Sequence, residues 1–281
     1  MARMSDLARI PLAGVIGHPV AHSRSPRLHG HWLTRYGIAG HYVPMDVAPD
    51  HLATVLRALP RAGFVGCNVT IPHKEAALSL ADSVTDRAAL IGAANTLVFH
   101  TDGRIYADNT DGYGFLANLR QAVPDWRPEA GPAAILGAGG AARAVIASLL
   151  DAGTPEVRIA NRTQSRAEAL RAEFGARVVA YDWGRAGNMF DGAVTTVNAT
   201  SLGMTGKPDL RVSLDALAPS SVVTDLVYAP LMTPFLQEAA ARGCRIVDGL
   251  GMLLHQAAPG FERWFGTRPE VDDALRAAVL G

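Results

Sequence analysis

A short apolar run, Ala133–Leu136, leads without a break into a glycine-rich turn, and an apolar helical segment follows as far as about Leu150. The residues of the turn are Gly137, Ala138, Gly139, Gly140 and Ala141. With Ala142 they match G-x-G-x-x-G/A in its usual strand–turn–helix context. Because Gly137 and Gly139 lack a Cβ, backbone N–H groups can approach a pyrophosphate at the positive end of the helix dipole. This predicts a dinucleotide-binding βαβ unit rather than an ordinary tight turn.

The following predicted strand, Val157–Ala160, indicates which dinucleotide fits. A site for NAD usually carries an acidic residue near the end of this strand, where it binds the ribose hydroxyls. Here the strand runs into Asn161, Arg162 and Thr163, with Arg166 in the next turn and no carboxylate. Guanidinium groups at a helix start suit a 2′-phosphate. We therefore predict NADP(H), the alternative being two solvated arginines at a helix N-terminus.

Composition limits the class of protein. The chain has 281 residues, of which 49% are hydrophobic and 19% charged, enough for one large domain or two ordinary ones with a real core. Basic and acidic residues number 26 each, without the basic excess of a nucleic-acid-binding protein. No apolar run approaches the roughly 18 residues of a membrane span, and two cysteines exclude a disulfide framework. We expect a cytoplasmic protein without nucleic-acid or membrane partners.

A second alternation of strands and helices precedes the glycine turn. Strands are predicted at Leu12–Ile16, His41–Val47 and Phe64–Val69, followed by a hairpin of Ala94–Phe99 and Arg104–Ala107. We predict Ser25 as the N-cap of the first helix and Asp50 as the N-cap of the second. This pattern predicts an α/β unit with a mostly parallel sheet.

Polar residues gather where these predicted strands end. They are Ser23, Ser25, Asn68, Thr70, Lys74, Asn95 and the segment Asp108–Gly112. Ligands of open α/β sheets bind outside such strand ends, and two serine hydroxyls at a helix N-terminus suit a carboxylate. Each residue alone also has a structural explanation, since Ser25 can be a helix cap and Lys74 a solvated helix residue. Their convergence on one edge of one sheet favours a binding site.

At this point the sequence resembles the shikimate dehydrogenase family over nearly its whole length. The motifs that carry the resemblance are Ser23-Arg-Ser25-Pro26, Asn68-Val-Thr70-Ile-Pro-His-Lys74-Glu75, Ile91–Leu97, Asn109–Gly112, Gly137–Ala141, Asn161-Arg162-Thr163, Asn198–Met204, Asp225–Pro230 and Asp248–Gln256. One departure is Gly30, where the family often has Asn.

The resemblance implies NADPH-dependent reduction of 3-dehydroshikimate to shikimate, a step of chorismate and aromatic amino-acid biosynthesis. It implies that Ser23 and Ser25 bind the substrate carboxylate and that Lys74 and Asp111 form the catalytic pair. The residues it places around the ring hydroxyls are Asn68, Thr70, Asn95, Asp111 and Gln256, with Tyr228 nearby. It counts Lys74 among the substrate-binding residues as well. The residues it assigns to the cofactor are Gly137, Ala138, Gly139, Gly140, Ala141, Asn161, Arg162, Thr163, Arg166, Thr200, Met204, Leu226, Gly249 and Met252.

The resemblance also implies two α/β domains around a cleft, in a monomer or homodimer. Residues 1–111, completed by 248–281, would form the substrate domain, and residues 112–247 a Rossmann-type NADP-binding domain. We predict no metal, because the sequence has no H-E-x-x-H motif and because His29 and His31 do not share a helical face.

Two alternatives stay open at this stage. One is a quinate/shikimate dehydrogenase paralogue that uses NAD. The other is a non-catalytic NADP(H)-sensing module on the same scaffold, against which the presence of Lys74 and Asp111 argues.

Overall fold

The computed structural model describes residues 10–281 and divides into two compact α/β units. The first unit comprises the chain up to Thr110 together with Gln256–Gly281, and the second is Asp111–His255. The chain returns to the first unit inside the helix Leu250–Phe265 rather than at residue 248, the predicted boundary. The physical reason is that Met252, near the start of this helix, packs into the apolar core of the second unit.

The first unit contains one six-stranded sheet among the described residues. Its strands and helices up to Thr110 are β1 (Leu12–Gly17), α1 (Ser25–Arg35), β2 (His41–Asp46), α2 (Leu52–Ala58), β3 (Gly66–Val69), α3 (Lys74–Leu80), β4 (Ser83–Val84), α4 (Asp86–Ile91), β5 (Thr96–Phe99) and β6 (Ile105–Asp108). The strand order is β2-β1-β3-β5-β6-β4. The pairs β1–β2, β1–β3 and β4–β6 are parallel, whereas β5 is antiparallel to β3 and β6. The predicted hairpin corresponds to β5 and β6.

Two predicted helix caps are wrong. Ser25 is the first residue of α1 rather than its N-cap, and its N–H instead donates to the Ser23 hydroxyl over 3.3 Å. Asp50 lies inside a 3-10 helix, Pro49–His51, and does not cap α2, which begins at Leu52. Because proline is well accepted in the first turn of a helix, Pro49 starts the helical turn one residue before Asp50.

The second unit contains a parallel six-stranded sheet. Its elements are α5 (Asp111–Ala122), β7 (Ala133–Leu136), α6 (Gly140–Asp151), β8 (Val157–Ala160), α7 (Gln164–Phe174), β9 (Val178–Tyr181), β10 (Thr195–Asn198), β11 (Val222–Asp225), α8 (Pro234–Ala241), β12 (Arg245–Val247) and the first part of α9 (Leu250–Phe265). The order β12-β11-β10-β7-β8-β9, read from β9, is the 3-2-1-4-5-6 order of a Rossmann sheet. The predicted Rossmann-type unit is therefore confirmed. The last helix, α10 (Asp273–Leu280), belongs to the first unit.

The second sheet is covered on both faces, which explains its apolar strands. Ala133 and Ile135 pack into one apolar cluster, which includes Val145 of α6. Ala134 and Leu136 point to the opposite face and pack into a second cluster. Successive side chains of a strand alternate between faces, so a strand buried on both faces reads as a continuous apolar run. No helix in the described part of the chain is long and apolar enough to cross a membrane.

Candidate functional site

The predicted substrate residues of the first unit converge on one edge of its sheet. Asn68 is in register with Thr96, and Thr96 with Asp108. Because β5 is antiparallel to its neighbours, its amino end coincides with the carboxyl ends of β3 and β6. Asn95, which directly precedes β5, therefore lies at the same edge as Asn68.

Asn95 is buried and forms the centre of a hydrogen-bonded group. Its side-chain oxygen accepts from the Thr110 N–H over 2.8 Å, and its amide nitrogen donates to Gln256 Oε1 over 3.2 Å. The Thr110 hydroxyl donates to the Gln256 carbonyl over 2.8 Å. The Asn68 amide donates to the Asn95 carbonyl over 3.1 Å. Three predicted substrate residues, Asn68, Asn95 and Gln256, are thus joined in one network. Thr110, which the predicted polar segment Asp108–Gly112 includes without a role of its own, is a further member.

The two serines and Thr70 lie beside the end of β1. The Ser23 hydroxyl accepts from the Ser25 N–H, and Ser25 is buried at the start of α1. Thr70 donates its N–H to the Ile16 carbonyl over 2.9 Å. A Cβ on Gly17 would stand only 2.6 Å from Thr70 Cγ2, so glycine is needed for this close approach. The structure therefore brings the segments that follow β1 and β3 together.

Lys74 is the first residue of α3, and a backbone hydrogen bond holds it at the edge of the sheet where Asn68 and Asn95 lie. Its carbonyl accepts from the Ala94 N–H over 2.9 Å, one residue before Asn95. This bond keeps the start of α3 next to the segment that enters β5.

A buried ion-pair cluster anchors the end of β6. Asp108 is fully buried and accepts from Arg87 and Arg263, each over 2.8 Å, and from the Thr85 hydroxyl. Burial opposes ionisation, but Arg87, Thr85 and Arg263 together outweigh it and hold the pKa of Asp108 below its usual value. Asp108 also accepts from the Asn109 N–H over 2.7 Å. The cluster thereby fixes the turn that carries Asn109 and Thr110. The sequence showed the polar run D-N-T-D-G but not that Asp108 anchors this turn.

In the second unit, the glycine turn leaves room for phosphate groups. Gly137 has φ of +110°, and a Cβ there would lie 3.0 Å from the Ala199 backbone and from Thr200 Cγ2. At Gly139 and Gly140 a Cβ would meet nothing within 4 Å among the described residues. The first turn of α6 carries no acidic residue and offers its N–H groups. This open helix N-terminus fits a dinucleotide pyrophosphate.

The residues that follow β8 are suited to the 2′-phosphate of NADP(H). The Asn161 amide and the Arg166 N–H both donate to the Thr163 carbonyl, over 2.9 and 3.0 Å, and shape the turn into α7. Arg162 and Arg166 are exposed, and neither pairs with a carboxylate of residues 10–281. Two guanidinium groups beside one turn are suited to a 2′-phosphate.

A buried network behind Thr200 holds the loop that faces Gly137. The side-chain oxygen of Asn198 accepts from the Thr200 N–H over 3.0 Å and from its hydroxyl over 2.7 Å. The Asn198 amide donates to Asp225 over 2.9 Å, and Thr233 donates to the same carboxylate. Burial raises the pKa of Asp225. Sequence reasoning placed Asn198 and Asp225 in motifs but did not see that they position Thr200.

The remaining predicted cofactor residues divide into a packed group and one outlier. A Cβ on Gly249 would lie 2.6 Å from the Leu226 carbonyl, so these two backbone segments touch. Met252 is buried in the apolar cluster against which Ala138 and Leu226 pack. Met204 stands in the loop after β10 with an exposed side chain, outside these contacts.

The predicted substrate residues lie in both units. Asp111 is the buried first residue of α5, and Tyr228 is a half-buried residue after β11, so both belong to the second unit. The other seven belong to the first unit. No group of three or more His, Cys, Asp or Glu residues suited to a metal occurs within residues 10–281.

Comparison with known proteins identifies the family. Models of the shikimate dehydrogenase substrate binding domain, of shikimate / quinate 5-dehydrogenase and of the shikimate 5′-dehydrogenase C-terminal domain match residues 15–97, 126–199 and 249–279. The shikimate dehydrogenase (NADP(+)) of Paracoccus denitrificans is 77% identical over 96% of both chains.

Solved structures resemble the fold over the same extent. Shikimate 5-dehydrogenase from Thermus thermophilus, in complex with NADP(H) and shikimate, is 40% identical with a TM-score of 0.86, over 96% of this chain and 98% of that one. Quinate dehydrogenase from Corynebacterium glutamicum, in complex with NAD, is 32% identical with a TM-score of 0.88, over 96% and 99%. With identity of this extent to the Paracoccus protein, the chain belongs to the shikimate dehydrogenase family.

Proposed function

We propose that this chain catalyses the reversible, NADPH-dependent reduction of 3-dehydroshikimate to shikimate, a step of chorismate and aromatic amino-acid biosynthesis. The observation that carries the proposal is the 77% identity, over 96% of both chains, to a shikimate dehydrogenase (NADP(+)). Two features support it: the glycine turn Gly137–Ala141 of the second unit, and the edge of the first unit's sheet where the predicted substrate residues converge.

Binding of the substrate is assigned to the polar edge of the first unit. The carboxylate accepts from the Ser23 and Ser25 hydroxyls beside the N-terminus of α1. The ring hydroxyls are bound by Thr70 and by the amides of Asn68, Asn95 and Gln256, which the hydrogen-bonded group already orients. Tyr228 completes this set by resemblance to the family.

Proton transfer is assigned to Lys74. A bound nicotinamide dinucleotide supplies the hydride to the ketone carbon in reduction and accepts it from the alcohol carbon in oxidation. In reduction, Lys74 Nζ donates the proton that the ketone oxygen must gain, and the resulting amine takes a proton from solvent. In oxidation the neutral amine accepts the hydroxyl proton. Asp111 orients the ammonium group and a substrate hydroxyl.

The proposal is tested by following the absorbance of the reduced cofactor. We expect oxidation of shikimate with NADP⁺ at a kcat/KM well above that with NAD⁺, and above that for quinate with either cofactor. A preference for quinate and NAD⁺ would instead identify the paralogue. Binding of NADP(H) without turnover of either substrate would identify a sensing module.

We further propose a cytoplasmic location and a monomer or homodimer as the assembly. The low cysteine count and the absence of a sequence-level membrane span support the location. Cell fractionation checks the location, and light scattering at micromolar concentration distinguishes the two assemblies.

The serine hydroxyls should affect substrate binding selectively. Ser23→Ala or Ser25→Ala should raise the KM for shikimate at least about threefold, because a lost hydrogen bond costs about 0.5–1.5 kcal/mol and more with a charged acceptor. The KM for NADP⁺ should change little. Ser79→Ala is the matched control, because Ser79 lies in the same unit and bonds only the Glu75 carbonyl of its own helix. An unchanged KM and melting temperature in both test variants would contradict the assignment.

The arginines after β8 should decide the preference between cofactors. Each charge-assisted contact is worth about 1.5–3 kcal/mol, so the double variant Arg162→Ala/Arg166→Ala should lower the preference for NADP⁺ over NAD⁺ at least about tenfold. The kcat/KM for NAD⁺ should stay nearly unchanged.

The control for this double variant is Arg171→Ala, on the same helix, where Arg171 pairs with Glu168. It should leave the preference as it is. Equal losses for NADP⁺ and NAD⁺ in the double variant would show that Arg162 and Arg166 support only the fold.

A further inference from the structure

A buried tyrosine stands behind the proposed substrate residues without being one of them. Tyr42 lies on β2, with 8% of its surface exposed, and its hydroxyl donates to Asn68 Oδ1 over 2.7 Å. Burial raises the pKa of Tyr42 well above its usual value, so this hydroxyl stays protonated and remains a donor. No motif of the sequence analysis includes Tyr42.

The bond from Tyr42 determines which way the Asn68 amide points. On its other side, Asn68 Nδ2 donates to the Asn95 carbonyl over 3.1 Å and to the Thr96 hydroxyl over 3.3 Å. Because the Asn95 carbonyl can only accept, it requires the amide nitrogen on that side and the amide oxygen towards Tyr42. Without the hydroxyl donor, the buried Asn68 oxygen would lose its partner, and a flipped or shifted amide would compete with the observed one.

The ring of Tyr42 is itself held in place by aromatic packing. The imidazole of His29 stacks on it with ring centroids 3.9 Å apart and planes 6° from parallel. Trp264 lies 6.1 Å away on a tilted plane. Because such packing leaves the ring few alternative rotamers, the hydroxyl can act as a fixed reference for Asn68.

We propose that Tyr42 is a positioning residue for the substrate, which orients the Asn68 amide without touching the substrate itself. This inference rests on the proposed function, because it takes shikimate as the molecule that Asn68 binds. Tyr42 therefore contributes to substrate affinity and not to cofactor affinity.

The test compares Tyr42→Phe with Tyr36→Phe. The Tyr36 hydroxyl accepts from the Glu270 N–H over 2.9 Å, and its ring packs near Phe261 in the same unit, so the control loses a comparable hydrogen bond away from the binding edge. Tyr42→Phe should raise the KM for shikimate about 3- to 30-fold, as expected for one lost hydrogen bond with an unsatisfied partner. The KM for NADP⁺ should stay within about twofold of the parent, and Tyr36→Phe should change neither constant.

A double-mutant cycle then separates positioning from a general structural role. In the Asn68→Ala background, Tyr42→Phe should change the KM for shikimate less than about twofold, because the side chain through which it acts is gone. All constants are measured well below the melting temperature of each variant.

Three outcomes would count against the proposal. An unchanged KM for shikimate in Tyr42→Phe, or fully additive effects with Asn68→Ala, would overturn this inference while the parent enzyme still oxidises shikimate. A parent protein that does not oxidise shikimate with NADP⁺ would overturn the proposed function, and the inference with it.

Discussion

Replacing Lys74 by alanine should lower kcat for shikimate oxidation by about 10²- to 10⁴-fold, the usual contribution of general acid–base catalysis. The KM for shikimate should change much less, because Ser23, Ser25 and the hydrogen-bonded amides remain. Asp111→Asn should impair both kcat and KM, because Asp111 is assigned to the ammonium and to a substrate hydroxyl. Steady-state kinetics measures all of these effects.

Two further variants make this experiment specific to proton transfer. Lys74→Arg keeps a positive charge and hydrogen-bond donors, but a guanidinium does not give up its proton near neutral pH. We therefore expect Lys74→Arg to lose kcat nearly as strongly as Lys74→Ala. The sequence contains only one other lysine, Lys207, so Lys207→Ala is the matched control and should retain parental kinetics. A Lys74→Ala enzyme with kcat within about threefold of the parent would show that Lys74 only binds substrate or lies on the surface.

His29 should make the folded protein sensitive to acid. This residue is fully buried among aromatic rings, and burial lowers its pKa from 6.5 to about 3, with the nearby Asn68 amide opposing part of the shift. The unfolded chain therefore binds a proton at His29 below about pH 6.5, whereas the folded chain resists it until about pH 3. The contribution of neutral His29 is complete above pH 6.5 and is lost as the pH falls towards 3. The full window corresponds to about 5 kcal/mol of unfolding free energy.

Urea unfolding at several pH values measures this effect. The free energy of unfolding of the parent should fall more steeply between about pH 6.5 and pH 4 than that of His29→Phe, by up to about 1.4 kcal/mol per pH unit. Phenylalanine keeps a ring against Tyr42 but does not titrate, and any constant packing cost leaves the slope unchanged. Trp32→Phe, in the same aromatic cluster, is the control and should shift the parental curve downward in parallel. Identical slopes for the parent and His29→Phe would contradict the prediction.

The first two strands of the second unit were predictable from local sequence. The predicted runs Ala133–Leu136 and Val157–Ala160 coincide with β7 and β8. Both strands are largely buried on both faces, so the apolar residues of each form a continuous run bounded by turn residues. The glycine turn was equally visible, because its spacing follows a strand and opens a helix, and because the positive φ and close backbone approach at Gly137 require glycine.

The strand pairing of the first sheet was harder to predict from the sequence. The hairpin of β5 and β6 followed from Asp102-Gly103, but the antiparallel pairing of β5 with β3 connects segments that no local pattern relates. The two-residue strand β4 is too short to show a period of its own. The wrong caps at Ser25 and Asp50 arose because cap preferences describe one residue, whereas the backbone conformation of its neighbours decides where each helical turn begins.

The candidate site divides in the same way. Ser23, Asn68, Lys74, Asn95 and the glycines could be named from short motifs, because each stands where a strand meets a turn or a helix. Their roles in binding and catalysis stay predictions. The bonds that hold these residues were not visible. Tyr42 donates to Asn68, Arg87 and Arg263 donate to Asp108 beneath the Asn109–Thr110 turn, and Asn198 behind Thr200 donates to Asp225. The partners in each of these bonds lie far apart in sequence, so no spacing rule links them.

By itself the sequence determined the α/β class, the Rossmann-type second unit and the chemical types of side chain at the strand ends, because strand burial, glycine turns and helix starts depend on neighbouring residues. Only the tertiary structure decided which of these side chains share hydrogen bonds and how each is oriented. It joined Asn68 and Asn95 to Gln256, and it set the Tyr42 hydroxyl behind Asn68. The physical reason is that a buried polar group must find a partner within about 3 Å in space, and that partner is chosen by packing of the whole unit rather than by distance along the chain.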